Sequence, residues 1–127
     1  MKILIVIGIG GFLGAILRYL LSGYVHQWAR TVDFPYGTLA VNVLGCLLIG
    51  FLTVLAESHG VFTPESRAFL FVGLLGSLTT YSTFGNETMN LLRDGESTSA
   101  LLNVSTHLVL GLGAVWAGRA MAFLLWR

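Results

Sequence analysis

Long apolar segments separated by short polar connections constrain the fold of this chain more than any other feature. A helix needs about 20 apolar residues to cross the hydrocarbon core of a membrane, and the 127 residues have room for four such helices. The helices are predicted at about 3–24, 37–57, 66–92 and 99–126. Before the third of these, Thr63 and Pro64 are typical of a helix start, with threonine as the cap and proline at the first position. Only 10% of the residues are charged, against roughly 25% in soluble domains. The sequence therefore predicts an all-α membrane protein, with one domain of four transmembrane helices in a lipid bilayer.

The charge and the positions of the histidines exclude two functional classes. A net charge of +1, without any run of basic residues, provides no surface for a nucleic acid. His26, His59 and His107 fall in different segments, without a cysteine or paired carboxylates at ligand spacing. The single cysteine, Cys46, lies in an apolar run and is expected to be a small core residue. We therefore expect neither an enzyme nor a nucleic-acid-binding protein.

The third apolar segment contains a polar stretch, residues 73–87, that is unusual for a transmembrane helix. In hydrocarbon an unpaired polar group costs several kcal/mol, so such a stretch must be buried in protein or line a watery cavity. Gly73, Gly76, Ser77 and Thr79 together make a poor helix, which predicts a break near the middle of the third helix. The structural alternative is that the hydroxyls bond carbonyls one turn back while the glycines permit close packing.

Three motifs resemble the Fluc (CrcB) family of fluoride channels, and the resemblance extends from about residue 8 to residue 127. Residues 76–84, GSLTTYSTF, resemble the family signature GGLTTFSTF. Residues 11–19 resemble its GxxGAxxR(Y/W) pattern, and residues 37–45 its GTLxxNxxG pattern. The resemblance implies a fluoride-specific channel of the bacterial inner membrane. It also implies an antiparallel, dual-topology homodimer.

The candidate fluoride path consists of polar or aromatic side chains on the second, third and fourth helices. Hydroxyl and amide donors can replace the water around fluoride, and the positive edge of an aromatic ring can favour a small anion. The candidates are Asn42, Tyr81, Phe84, Thr80, Ser82, Thr83, Glu87, Thr38 and His107. The resemblance places Asn42 and the two aromatic positions on the path. It also reveals departures: Tyr81 replaces a phenylalanine, and His107 and Gly111 stand where serines are common.

Several of these residues have structural alternatives. An isolated Asn42 could simply bond another helix, and the rings of Tyr81 and Phe84 could be core residues. Glu87 follows Thr83 by four residues, so its carboxylate can meet the Thr83 hydroxyl. Glu87 is expected to be hydrogen-bonded or protonated, because a bare carboxylate would repel fluoride; a structural bond to the fourth helix is the alternative. Arg18, near the end of the first helix, either reaches the membrane interface or attracts anions in a vestibule.

The resemblance further implies that the backbone carbonyls of Gly76 and Thr79 from two subunits hold a central sodium ion, which is structural and not transported. The distribution of basic residues agrees with a chain that inserts in both orientations. Seven basic residues divide four to three between the two sides of the membrane, too weak a bias to fix one topology. Lys2, Arg67, Arg119 and Arg127 fall toward one side, and Arg30, Arg93 and Arg18 toward the other.

Two other classes of membrane protein compete with the channel. Small proton-coupled exporters of cationic compounds also form four-helix, dual-topology dimers, but they need an acidic residue in the first helix, where this chain has Arg18. A non-transporting scaffold subunit would explain the small residues at helix-packing spacing but not the polar stretch in the third helix.

Overall fold

The computed structural model describes residues 1–30, 33–58 and 60–126. In these ranges the chain is entirely helical apart from short connections. The elements are α1 Lys2–Ala29, α2 Tyr36–Ser58, α3 Pro64–Arg67, a π-helical segment Ala68–Leu75, α4 Gly76–Leu78, α5 Tyr81–Arg93 and α6 Ser97–Leu125. Four stretches are long and apolar enough to cross a membrane: α1, α2, the third span Pro64–Arg93, and α6. The predicted all-α, multi-pass membrane architecture is confirmed.

The ends of the helices follow local sequence signals. α1 continues to Ala29, beyond the end predicted near residue 24, and stops at Arg30, whose φ of 51° is left-handed. Thr63 and Pro64 begin the third span as predicted: Thr63 Oγ1 accepts the Ser66 N–H at 3.2 Å, and Pro64 occupies the first turn. Gly95, with a φ of 82°, makes the turn between α5 and α6. His59 and Arg127, which the sequence predicts in a connection and at one side of the membrane, lie outside the described residues.

Two close helix pairs form the core of the bundle. α2 packs along α6, and a Cβ added at Gly118 would overlap the backbone carbonyl of Leu47. α1 packs along the first half of the third span, where a Cβ at Gly14 would overlap the carbonyl of Leu74. Ser77 Oγ donates a 2.9 Å hydrogen bond to the Gly11 carbonyl across this second pair. Small residues thus let the backbones approach, as is common between helices in membranes.

The third span changes its backbone geometry twice. Ala68–Leu75 is π-helical, with one more residue per hydrogen-bonded turn than an α-helix. After the short helix α4, Thr79 (φ −89°, ψ 154°) and Thr80 (φ −151°, ψ 116°) are extended. Helix resumes at Tyr81, where the Thr80 hydroxyl caps α5 by accepting the Thr83 N–H at 3.3 Å. The extended pair leaves backbone polar groups that need other partners.

The outer faces of the bundle are apolar, as expected for contact with lipid. Large side chains such as Leu4, Leu20 and Leu112 are each more than half exposed. Most charges lie toward the ends of the spans, and Arg119 Nη2 and Glu57 Oε2 approach within 3.9 Å there. This pair places the end of α2 and the end of α6 on the same side of the bundle. Arg18 is an exception among the charges: because α1 continues to Ala29, it lies about three turns before the helix end and not near it as expected.

Candidate functional site

Asn42 on α2 pairs with the backbone of Thr80, in the extended part of the third span. Its Oδ1 accepts the Thr80 N–H at 2.9 Å, and its Nδ2 donates to the Thr80 carbonyl at 3.2 Å. Gly45, one turn later on α2, lets the Thr79 side chain approach so closely that an added Cβ would overlap Thr79 Cγ2. A primary amide is suited to this role because it has both an acceptor and two donors. α2 therefore supplies the partner that the extended backbone lacks.

This arrangement diverts two backbone donors from their helical acceptors. In an uninterrupted helix the Thr80 N–H would donate to the Gly76 carbonyl and the Thr83 N–H to the Thr79 carbonyl. Here the first donates to Asn42 Oδ1 and the second to the Thr80 hydroxyl. The carbonyls of Gly76 and Thr79 thus lose their usual donors. These are the two carbonyls that the family resemblance implies as sodium ligands.

His107 extends the hydrogen bonding from Asn42 to α6. Its Nε2 lies 3.3 Å from Asn42 Nδ2, and its Nδ1 lies 2.9 Å from the carbonyl of Asn103. Both N–H groups of Asn42 are therefore engaged, one with Thr80 and one with His107. Asn42, Thr80 and His107 form a connected polar group that joins α2, the third span and α6.

Two aromatic rings of α5 lie beside this polar group. The Phe84 ring centroid is 4.4 Å from that of His107 and 5.6 Å from that of Tyr81, at interplanar angles of 44° and 49°. Phe84 is partly buried, whereas Tyr81 is 84% exposed. The tilted rings present edges as well as faces, so positive ring edges are available beside the hydroxyl groups.

The hydroxyls at the start of α5 form a small cluster of their own. Thr80 Oγ1 lies 3.2 Å from Ser82 Oγ and donates to Thr83 Oγ1 at 3.0 Å. Ser82 and Thr83 are exposed on the surface of the chain. The cluster is adjacent to Tyr81 along the chain and offers several donors within one helical turn.

Thr38 and Glu87 meet farther along the same two helices. The Thr38 hydroxyl donates to Glu87 Oε1 at 2.6 Å, while Glu87 Oε2 is buried without a hydrogen-bond partner among the described residues. Thr38 lies one turn before Asn42 on α2, and Glu87 lies one turn after Phe84 on α5. The predicted bond of Glu87 to a hydroxyl is present, but the donor is Thr38 of α2 and not Thr83 of its own helix.

Two cavities contain most of these candidates. The inner cavity, about 390 Å³, is lined by Asn42, Thr80, Tyr81, Phe84 and His107, together with Gly76, Thr79 and Gly111. The outer cavity, about 450 Å³, lies at the helix ends and is lined by Thr38 and Glu87 with Ser22, His26, Asp33 and Asp94.

Three candidates lie outside both sets of lining residues. Ser82 and Thr83 are found only in the exposed hydroxyl cluster described above. The half-buried Arg18 lies one turn before Ser22 on α1, so it stands near the outer cavity along the helix. The path candidates are thus brought together around two cavities that share α2 and α5.

Comparison with known proteins assigns the family. The profile described as "CrcB-like protein, Camphor Resistance (CrcB)" matches residues 5–119, which include every candidate residue. The chain belongs to the CrcB family.

Relatives of this CrcB chain are named as fluoride channels. It is 41% identical over 122 residues to "Fluoride-specific ion channel FluC 1" of Methanosarcina acetivorans, covering 96% of this chain and 92% of the relative. It is 45% identical over 115 residues to "Fluoride-specific ion channel FluC" of Hydrogenovibrio crunogenus, covering 91% and 86%. A protein of the same name from Shewanella baltica is 43% identical over 123 residues, covering 97% and 98%. The similarity therefore spans nearly the full length of each relative.

Two further polar residues of this CrcB chain, Asn103 and Thr88, were not predicted from the sequence. Asn103 is completely buried and donates to Thr88 Oγ1 at 2.9 Å, while its own carbonyl contacts His107. Its Oδ1 has no partner among the described residues. The signal was present, since Asn103 precedes His107 by four residues and therefore lies on the same face of α6.

Proposed function

We propose that this CrcB chain is a passive fluoride-specific channel of the bacterial cell membrane, which lowers cytoplasmic fluoride. The observation that carries the proposal is 41–45% identity, over nearly the whole of both chains, to proteins named fluoride-specific ion channels. The internal polar groups support it, because a scaffold subunit would have no use for two cavities lined by hydrogen-bonding side chains.

The proposed path follows the shared faces of α2 and α5. Fluoride would enter the outer cavity near Thr38 and Glu87 and reach the inner cavity at Phe84. Arg18, close to the outer cavity along α1, would raise the local concentration of anions without holding the ion. A protonated or hydrogen-bonded carboxyl group repels fluoride less than a bare carboxylate does. The Thr38 hydroxyl already donates a hydrogen bond to one oxygen of Glu87.

Dehydration of fluoride would occur beside the start of α5. The hydroxyls of Thr80, Tyr81, Ser82 and Thr83 can donate hydrogen bonds, and ring edges of Tyr81 and Phe84 carry positive partial charge. Neutral donors suit conduction because they replace water without trapping the ion as a fixed charge would. Both N–H groups of Asn42 are used within the protein, so Asn42 would bind fluoride only by exchanging one of these bonds.

The exposed position of the path supports assembly with a second copy. Tyr81, Ser82 and Thr83 lie on the surface of a single chain, yet polar groups at this depth in a membrane must be covered by protein or water. We propose an antiparallel, dual-topology homodimer in which the partner covers this surface. The third span would act as a broken helix whose extended residues lie near the dimer centre.

A structural sodium ion fits the backbone of the third span. Carbonyl oxygens are suitable ligands for a hard cation, and those of Gly76 and Thr79 have lost their helical donors to Asn42 and to the Thr80 hydroxyl. Two copies would supply four such oxygens. The ion would neutralise the partial negative charge of these carbonyls and hold the two spans together.

The proposal is tested by fluoride release from liposomes that contain the purified protein, read with a fluoride electrode in the presence of a potassium ionophore. We expect rapid fluoride release by the wild-type protein and negligible release by Phe84→Ile and Asn42→Asp, which should remain dimeric. Phe123→Ile, on the exposed apolar surface, is the matched control and should conduct like wild type.

Full release by both path variants would contradict the assigned path. Proton-dependent release of organic cations, without fluoride release, would instead identify an exporter. Absence of any flux from a folded dimer would favour the scaffold subunit.

A further inference from the structure

We propose that His107 is a positioning residue: its neutral imidazole holds the Asn42 amide in the one orientation that pairs with both backbone groups of Thr80. The transport measurements that test this role rest on the proposed channel function. The hydrogen bonds themselves do not depend on that function.

The donors and acceptors around His107 allow a single consistent assignment. The Asn103 carbonyl can only accept, so the hydrogen of the neutral ring must be on Nδ1, 2.9 Å away. Nε2 then carries a lone pair and accepts from Asn42 Nδ2 at 3.3 Å. The second hydrogen of Nδ2 reaches the Thr80 carbonyl, and Oδ1 accepts the Thr80 N–H. Every hydrogen bond in this series, from Asn103 to Thr80, has one donor and one acceptor.

Any other arrangement of these hydrogen bonds places two donors or two acceptors against each other. If the Asn42 amide turned over, Oδ1 would face the lone pair of His107 Nε2, and Nδ2 would face the Thr80 N–H. If His107 became protonated, its Nε2–H would point at the N–H of Asn42. The amide would then have to release Thr80 or turn over, and Thr80 N–H would lose its acceptor in either case. Neutral His107 therefore selects the orientation of Asn42.

The described residues that line the cavity beside His107 carry no charge that would offset its protonation. From α5, the Phe84 ring packs 4.4 Å away, centroid to centroid. From α2, Asn42 and Cys46 line the same inner cavity, and Tyr81 lines it from the start of α5. Among the described lining residues, Cys46 and Tyr81 are the other titratable groups, and there is no carboxylate, lysine or arginine. Protonation of His107 would thus act mainly on the Asn42 amide.

The consequence is an acid-sensitive fluoride path. As His107 becomes protonated, the Thr80 backbone is released and the extended geometry at the start of α5 is lost. Fluoride efflux should therefore decline by about tenfold per pH unit below the titration midpoint of His107, as a one-proton equilibrium requires. Protein-free liposomes provide the background, because hydrogen fluoride crosses a bilayer without a channel.

Substitutions separate positioning from packing. His107→Gln offers an amide oxygen to Asn42 but does not titrate, so its efflux should lack the acid-dependent decline of the wild type between pH 8 and 5. His107→Leu offers no acceptor and should conduct at least about tenfold less than His107→Gln at pH 8, the ratio that one lost hydrogen bond of about 1.4 kcal/mol produces. His26→Gln removes a histidine of the outer cavity and should retain the acid-dependent decline.

A second readout does not require transport. In the ¹⁵N-labelled protein in micelles, the side-chain amide of Asn42 and the backbone amide of Thr80 should titrate with one shared midpoint. In His107→Gln neither resonance should titrate. If these resonances behave as expected but no fluoride moves, the channel function fails and the positioning role stands.

Three results would overturn the inference. The first is that the Asn42 and Thr80 resonances do not shift when His107 is protonated. The second is equal efflux by His107→Leu and His107→Gln. The third is wild-type efflux that increases in acid. The last would make His107 a direct anion ligand.

Discussion

Truncation of Asn42 to alanine tests the pairing between α2 and the extended part of the third span. The variant removes the acceptor of the Thr80 N–H and one of the donors to the Thr80 carbonyl. A part-buried N–H without a partner costs about 1–2 kcal/mol, and the lost bond to the carbonyl about 1 kcal/mol. The carbonyl of a capping residue still accepts within its own helix, so it is not left unpaired. The expected loss in free energy of unfolding is therefore about 2–3 kcal/mol.

The assay is equilibrium unfolding in mixed micelles at a fixed protein concentration, since the stability of an oligomer depends on concentration. Asn86→Ala is the matched control, because Asn86 is exposed on α5 and the same truncation there should change stability by less than about 0.5 kcal/mol. Equal losses for Asn42→Ala and Asn86→Ala would refute the pairing as a source of stability.

Three further predictions concern the helix contact at Gly14, the Thr38–Glu87 hydrogen bond and the proposed sodium ion. Gly14→Ala should destabilise the protein by about 1–3 kcal/mol, because its Cβ would overlap a carbonyl of the third span; Gly8→Ala, with nothing within 4 Å, should be neutral or slightly stabilising in the same unfolding assay. Thr38→Val should lower fluoride efflux and cost about 1–3 kcal/mol by leaving both Glu87 oxygens without a partner, whereas Thr38→Ser should retain both properties. Replacing sodium by a large organic cation should lower the melting temperature of the dimer, and an unchanged value would argue against the proposed ion.

The membrane fold could be predicted because it depends on local signals. Four apolar segments of sufficient length predict four spans, and the cap at Thr63 with Pro64 predicts where the third begins. The π-helical segment Ala68–Leu75 could not be predicted, since its uniformly apolar sequence has no feature that distinguishes it from an α-helix. Its wider turns accompany the close approach of Gly73 to the backbone of α1, a contact between residues far apart in the sequence.

The candidate site could be predicted as a set of residues but not as a set of contacts. Asn42 was recognised as a polar residue that needs a partner, yet its partner is a backbone 38 residues away, which no spacing rule identifies. Glu87 was expected to meet a hydroxyl within its own helix and instead meets Thr38 from α2. Asn103 was assigned no role, although it precedes His107 by four residues on the same face of α6. Its importance arises from complete burial against Thr88 and His107.

The most direct test of the central claim, passive fluoride conduction, is fluoride release from potassium fluoride-loaded proteoliposomes before and after valinomycin is added. A passive anion channel cannot release fluoride until potassium can leave with it. We therefore predict almost no release before valinomycin, rapid release afterwards, and negligible chloride release from matched chloride-loaded vesicles. Release that is equally fast without valinomycin, or no release after it from a folded dimer, would contradict the account.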